Sequence, residues 1–324
     1  MFNGLNIILQ CIITLLLSTL ISSLITKLVI SIQLKKELSQ PIREELTFHN
    51  NKKNTPTLGG ISIFLTPIIT LFIVNINFIY DKNLTLIILI LSGFFVVGLI
   101  DDLYKLLLKN HKGLKGIIRF TIELILAVIF LYNLGFNNVD NQYINVFNSQ
   151  IFLGLFAVLI LVLIIVGSSN AMNLSDGLDG LASSLFIISL MPFIIYCFKQ
   201  NELYLGLYLI SIFGSCIGFI VFNIHPSKVF MGDCGSLFLG AVLGSVAIYF
   251  HIEYVLLISG FVLIIETLSV IIQVIYYKLT KKRVFLMAPL HHHFEMMGFS
   301  EEKVVLIFII VGYFFSLLGV ILII

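Results

Sequence analysis

Two carboxylates and two carboxamides stand close together in Asn170-Ala-Met-Asn-Leu-Ser-Asp-Gly-Leu-Asp-Gly-Leu181, directly after a stretch, Ile151 to Val166, that carries no charge. An ionisable group at the edge of lipid is unfavourable unless it is hydrated, paired or ligated, so acids in such a place are functional candidates. Asp176 and Asp179 are three residues apart; on a continuing helix they would share a face and line one polar cleft. Gly177 and Gly180 leave the backbone beside them open to close approach of a ligand. The same residue types also make a hydrated turn or a helix cap.

Three further groups carry chemistry. In Gly98-Leu-Ile-Asp-Asp-Leu-Tyr-Lys105 the adjacent carboxylates of Asp101 and Asp102 repel, and a divalent cation is the usual relief. Lys105 and Lys109, four apart, would share a helix face and hold phosphate oxygens; a charge-balanced helix end with snorkelling lysines accounts for the pattern equally well. Downstream, Phe222-Asn-Ile-His-Pro-Ser-Lys-Val-Phe-Met-Gly-Asp-Cys-Gly-Ser236 sets Asp233 at the start of an apolar run, where free backbone N–H groups suit an anion or metal site. Asn223 offers an amide and Phe230 a flat stacking surface, although among 29 phenylalanines a plain apolar role for Phe230 is the simpler reading. Last, Met287-Ala-Pro-Leu-His-His-His-Phe-Glu295 contains His291, His292 and His293 in a row. Such runs can bind metal, but adjacent side chains point different ways, so contacts to phosphate fit better than a three-ligand site. The four cysteines have no metal or dithiol spacing, and neither Gly-x4-Gly-Lys-Ser/Thr nor Gly-x-Gly-x2-Gly occurs. The acids, lysines and histidines together suggest a phosphorylated substrate handled with a divalent metal. Nothing points to nucleic acid.

The elements that must position these groups are membrane helices. With 324 residues, 59% hydrophobic and 11% charged, the chain has more apolar surface than a soluble protein of this length buries. Apolar runs long enough to cross a bilayer fall near 5–30, 58–79, 84–100, 117–135, 151–168, 178–197, 203–222, 235–250, 254–278 and 304–323, an all-α polytopic bundle of about ten transmembrane helices in one membrane-embedded domain, 1–324. The ninth is long enough to tilt or to break in two. The N-terminal run lacks a basic leader and a small-residue cleavage site, and reads as a retained span. The outer connection 137–150 reads as a surface loop. The connections after spans one, three, five, seven and nine hold 17 of the 19 Lys and Arg residues, leaving only Lys82 and Lys199 opposite. Basic residues stay in the cytoplasm, so both termini face outward and the cleft faces the cytoplasm.

Taken together these stretches resemble one family, the polyprenyl-phosphate phosphosugar transferases. The superfamily features are Asp101-Asp102 with Lys105 and Lys109, the Asn170 to Leu181 segment, and Val229-Phe-Met-Gly-Asp-Cys-Gly-Ser-Leu. His49-Asn-Asn-Lys-Lys-Asn-Thr-Pro-Thr-Leu-Gly-Gly60 and Met287 to Glu295 resemble its muramoyl-pentapeptide branch. The likeness covers essentially the whole chain. It implies an enzyme of the bacterial inner membrane that transfers phospho-MurNAc-pentapeptide from UDP-MurNAc-pentapeptide to undecaprenyl phosphate, giving lipid I and UMP, with Mg2+. By position, it implies Asp233 as metal ligand with Asn173 beside it, and Asp101 as the base on the lipid phosphate with Asp102 adjacent. Asn173, Asp176 and Asp179 become active-site or nucleoside contacts, and Asn223 and Phe230 the uridine pocket. Lys52, Lys105 and Lys109 would contact phosphates or nucleotide, and His291 and His292 the substrate. A homodimer is also a family expectation, though no strong small-x3-small pair stands out to locate its interface.

This sequence departs from the family pattern at Asn54 (Gly), Glu45-Leu46 (Gly-Pro), Leu286 (a basic residue) and Phe299 (Trp), while Arg119 replaces a Lys conservatively in charge. The acid set is complete. A sister transferase for another UDP-linked N-acetylated sugar and a non-catalytic lipid-phosphate carrier are the competing readings; the His291 to His293 run argues against the first.

Overall fold

The computed structural model describes residues 6–35, 55–108, 113–136, 138, 142–147 and 149–324. Its helices in chain order are Ile7–Lys35 (α1), Gly60–Val74 (α2), Lys82–Leu108 (α3), Gly116–Asn133 (α4), Leu155–Ser175 (α5), Leu181–Lys199 (α6), Leu203–Asn223 (α7), Asp233–Tyr249 (α8), Glu253–Ser259 (α9), Phe261–Thr280 (α10), Leu290–Met296 (α11) and Glu301–Ile323 (α12). Eight of these are long and apolar enough to cross a membrane. The second and eighth expected spans appear as the shorter α2 and α8, of 15 and 17 residues. The polytopic all-α expectation holds.

The bundle is built around α8, which is buried at every position from Asp233 to Ile248 and packs against α2, α3, α5, α6 and α9. At 1.5 Å per residue it is about 26 Å long, slightly less than the ~30 Å hydrocarbon core. Enclosed by other helices, it does not have to span. Its neighbours come close because small residues meet it: a Cβ on Gly98 of α3 would collide with the backbone at Asp233 and Cys234.

Helix α1 packs inside out. Its buried residues are Gln10, Thr14, Ser18, Ser22, Thr26 and Gln33, while Leu16, Leu20, Leu24 and Leu28 are exposed. Lipid tails are as apolar as leucine, so close packing and hydrogen bonds, not burial of leucine, hold such helices together. The Ser22 hydroxyl donates to the Ser215 carbonyl (2.6 Å) and Thr26 to Ser62 Oγ (2.8 Å). Helix α7 answers with Gly214 and Gly218, where an added Cβ would strike Ser18 and the Thr19 carbonyl. These glycines are a small-x3-small pair, contrary to the expectation that none stands out, and they join two helices of the same chain.

Four local expectations change. The connection 137–150 is in part a hairpin: Tyr143–Val146 (β1) pairs antiparallel with Ser149–Phe152 (β2), Tyr143 opposite Phe152. The hairpin docks through Asn145 Nδ2 to the His251 carbonyl (2.8 Å) and the Tyr143 ring stacked on His251. Ile151 and Phe152 therefore belong to a strand, and α5 starts at Leu155 but runs on to Ser175. Helix α3 likewise continues past residue 100 and carries Asp101, Asp102 and Lys105. Residues 176–180 form turns, so Asp176 and Asp179 do not share a helix face. The long ninth span, by contrast, does what its length allows and breaks in two at Gly260, into α9 and α10.

Replacing Gly218 by Val should lower the Tm in detergent by roughly 2–12 °C, given overpacking of ~1–3 kcal/mol and a shift of ~2–4 °C per kcal/mol in a large domain. Gly167→Ala, where a Cβ meets nothing within 4 Å, is the control. Equal melting of the two variants would show that the α1–α7 contact carries no weight.

Candidate active site

A helix that starts inside a protein leaves backbone N–H groups in need of acceptors. At the start of α8 these are supplied from α3: the N–H groups of Asp233 and Cys234 donate to Oδ1 and Oδ2 of Asp102, each at 3.0 Å. Asp102 is only 1% exposed. Its neighbour Asp101, about 100° further round the helix, turns elsewhere. It accepts the Leu114 N–H (2.7 Å) and pairs with Lys105 Nζ (2.7 Å). The adjacent acids thus divide their work.

Asp233 is the hub of the charged cluster. Lys105 Nζ lies 3.1 Å from one of its oxygens and Arg119 Nη1 2.8 Å from the other. The Arg119 fork also reaches Asn170 Oδ1 (3.3 Å) and Glu123 (3.6 Å), and Asn170 donates back to Glu123, which is fully buried. Asn173 donates to Ser236 Oγ (2.9 Å), which donates to the Gly232 carbonyl (3.1 Å), so its amide is held over the first turn of α8. Asp101, Asp102 and Asp233 each offer a carboxylate oxygen within 4.8 Å of the others. Hard oxygen donors in this arrangement could hold a divalent metal ion.

The other expected residues line up behind this cluster. Asp176, at the C-terminus of α5, is half-buried, and its carboxyl makes no hydrogen bond or ion pair among the described residues. Burial first, then the negative charges of Asp233, Asp102 and Asp179, push that carboxyl up to about 8 against the pull of Lys105. Asp179, unlike Asp176, is engaged on several sides: it accepts the Ser227 N–H (3.1 Å) and meets His225 Nδ1 (3.1 Å), while its own N–H donates to Glu301 (2.7 Å). Asn223 uses both ends of its amide to join loops, accepting from Gly180 N–H (3.0 Å) and donating to the Val229 carbonyl (2.9 Å). Phe230 is half-buried, and its backbone pairs with Pro56 and Gly59, which brings the Thr-Pro-Thr segment to the same place. Gln33 of α1 holds Thr57 in turn, accepting its N–H at 2.8 Å. Lys52, Lys109 and the stretch from His49 to Asn54 lie outside the described residues.

The three histidines diverge, as the spacing predicts. His291 Nδ1 meets Glu266 (2.8 Å), His292 Nδ1 meets Glu295 (2.7 Å), and His293 Nδ1 accepts the Leu286 N–H (3.2 Å). Residue types and spacing alone assign no role to Arg119, Glu123, Asn170 or Glu266. For Glu123 and Glu266 a signal is present, since each is an acid inside an apolar run and merits the reading given to Asp176. Asn170 carries none beyond its place in the motif.

Comparison with known proteins follows the same lines. The profile of glycosyl transferase family 4 matches residues 84–251, the part that holds Asp101, Asp102, Asp176, Asp179 and Asp233. A phospho-N-acetylmuramoyl-pentapeptide-transferase of Geobacillus sp. (strain WCH70) is 40% identical over 289 residues, covering 88% of this chain and 89% of the relative. One from Staphylococcus saprophyticus is 42% identical over 291 residues, 88% and 90%, and one from Bacillus thuringiensis 40% identical over 290 residues, 88% and 89%. With its charged centre inside the matched region and its relatives aligned almost end to end, the chain belongs to glycosyl transferase family 4, among the phospho-N-acetylmuramoyl-pentapeptide-transferases.

Proposed function

We propose that the protein joins a lipid phosphate to a nucleotide sugar: an oxygen of undecaprenyl phosphate bonds to the sugar-bearing phosphorus of UDP-MurNAc-pentapeptide, the bond to the α-phosphate oxygen breaks, and UMP leaves as lipid I forms, a step of peptidoglycan synthesis. The observation that carries this is Asp233, held at the start of a buried helix between Lys105 and Arg119 with Asp101 and Asp102 beside it. Two anions have to meet, so electrostatic screening and positioning are the main requirements of the reaction.

In this reading Asp233, Asp101 and the Asn173 amide hold Mg2+, whose contribution is to neutralise charge on the diphosphate. Lys105 and Arg119, now paired with Asp233, turn to phosphate oxygens. Asp102 positions Asp233 through the backbone. A phosphate monoester has its second pKa near about 6, so the lipid phosphate is mostly dianionic at neutral pH and Asp101 is needed less as a base than as a ligand. The turn with Asp176 and Asp179, together with Asn223 and Phe230, forms the nucleoside side. The excess of Lys and Arg in alternate connections supports a cytoplasmic site in the bacterial inner membrane.

Two measurements test this. Detergent-purified protein given both substrates and Mg2+ should release UMP; leaving out the lipid, chelating the metal or changing Asp233 to Asn should each reduce release at least about a hundredfold, the scale of losing a principal electrostatic group. Release from UDP-GlcNAc but not from UDP-MurNAc-pentapeptide would replace the donor, and UMP release without lipid would end the transfer reading. The second concerns Asp176. Its carboxyl is raised, so it is neutral at pH 7 and gains charge as pH climbs through about 8, when it would repel a diphosphate. UDP affinity without added metal should therefore fall up to about tenfold from pH 7 to pH 9, and Asp176→Asn should flatten that slope. An identical slope in the variant would remove Asp176 from the donor site.

A further inference from the structure

Glu266 is the single acid of α10 and is fully buried. A carboxylate inside a membrane helix is unfavourable unless paired, and this one gives both oxygens to one residue. Oε1 accepts the His291 backbone N–H (3.2 Å) and Oε2 meets His291 Nδ1 (2.8 Å). His291 is itself fully buried, and its Nε2 has no hydrogen-bond partner among the described residues. That nitrogen lies against Gly177, where an added Cβ would collide with it. Asp176 is the glycine's chain neighbour, so the ring edge is aimed at the turn that adjoins the charged cluster. His292 meets the partly buried Glu295 of its own short helix, and His293 the Leu286 N–H.

We infer that Glu266 is a positioning residue for the transfer reaction: it fixes the His291 ring with its hydrogen on Nδ1 and presents a bare Nε2 at the Gly177 turn, to accept an N–H or O–H of the donor's sugar-peptide. A carboxylate on one imidazole nitrogen sets both the tautomer and the ring's rotation. In this tautomer Nε2 is an acceptor, so a phosphate oxygen is the wrong partner for it. The absent Cβ at residue 177 is what lets the nitrogen lie directly against the turn. The inference rests on the transferase reading above, and the wild-type UMP assay, run alongside, separates failure of that reading from failure of this one.

The test compares the full donor with UDP alone. In Glu266→Gln the amide NH2 can face Nδ1 and invert the tautomer, as an acid-to-amide change does behind a catalytic histidine. The variant should lose about 10- to 100-fold in kcat/KM for UDP-MurNAc-pentapeptide, while its Kd for UDP stays within about twofold of wild type. In a His291→Asn background the same change should cost nothing more, because the two residues act as one unit. Glu266→Asp, which keeps the carboxylate but withdraws it from Nδ1, should show the same split and decides the matter if Glu266→Gln does not fold. Wild-type kcat/KM in the variants, a parallel loss of UDP binding, or additive losses in the double variant would each overturn the assignment.

Discussion

Everything in the cleft depends on how the first turn of α8 is satisfied. A buried helix start with unpaired N–H groups is destabilising by about 1–3 kcal/mol for each group, and water is excluded here by the helices around α8. Asp102 resolves the problem by accepting two of these N–H groups at once. Because it does so from another helix, the same contact that stabilises α8 fixes the distance between α3 and Asp233. Gly98 permits the approach. The geometry of the charged cluster is therefore a consequence of helix capping, and in it Asp102 is the residue that places Asp233.

That placement gathers negative charge in a poor solvent for it. Asp101, Asp102, Asp233 and Glu123 converge, and Lys105 and Arg119 are the cations that face them. Here the exchange of lysine for arginine at residue 119 is more than conservative in charge. One guanidinium reaches Asp233, Asn170 and Glu123 together, which the point charge of an ammonium does less well. The fork ties α4 to both α5 and α8, so the cluster is also a three-helix joint. Asp176 is left outside that joint, and burial with the charges of Asp233, Asp102 and Asp179 pushes its carboxyl up to about 8.

Most of the fold was legible because hydropathy reports lipid contact directly, and a run such as Leu155 to Val166, apolar at every position, is stable only in lipid or against other apolar helices. What hydropathy does not report is which helix is central. Nothing in α8 distinguishes it from α6 until its glycines, serines and alanines are matched to the small residues of its neighbours. The α1–α7 joint is hard to read for a related reason: Ser18, Ser22, Gly214 and Gly218 lie some two hundred residues apart in sequence, and a small residue signals packing only once its partner is known. At the site, residue types single out Asp233 and the histidine run as candidates, but do not show that Asn223 and Asp102 serve as braces. Acceptors in loops look alike in sequence whether they meet a ligand or a backbone N–H.

The departures from the family pattern can be judged by the atoms each position uses. Leu286 stands where a cation is usual, yet its backbone carries the contacts: its N–H donates to His293 and its carbonyl accepts from Arg283 (3.2 Å). Neither needs a particular side chain at 286, and the guanidinium of Arg283 already brings positive charge to that loop. Phe299 stands where a tryptophan is usual, and what the structure asks of it is a ring face, with Lys303 Nζ 4.8 Å from its centroid and Phe294 edge-on at 6.0 Å. A phenyl ring supplies both, with a weaker cation–π attraction than indole and without its N–H. Both changes thus fall where backbone or ring face is used, away from the acids. The charged cluster, built on capping and ion pairs, is untouched by drift of that kind, because the groups that set its geometry are elsewhere, in α3, α4 and α8.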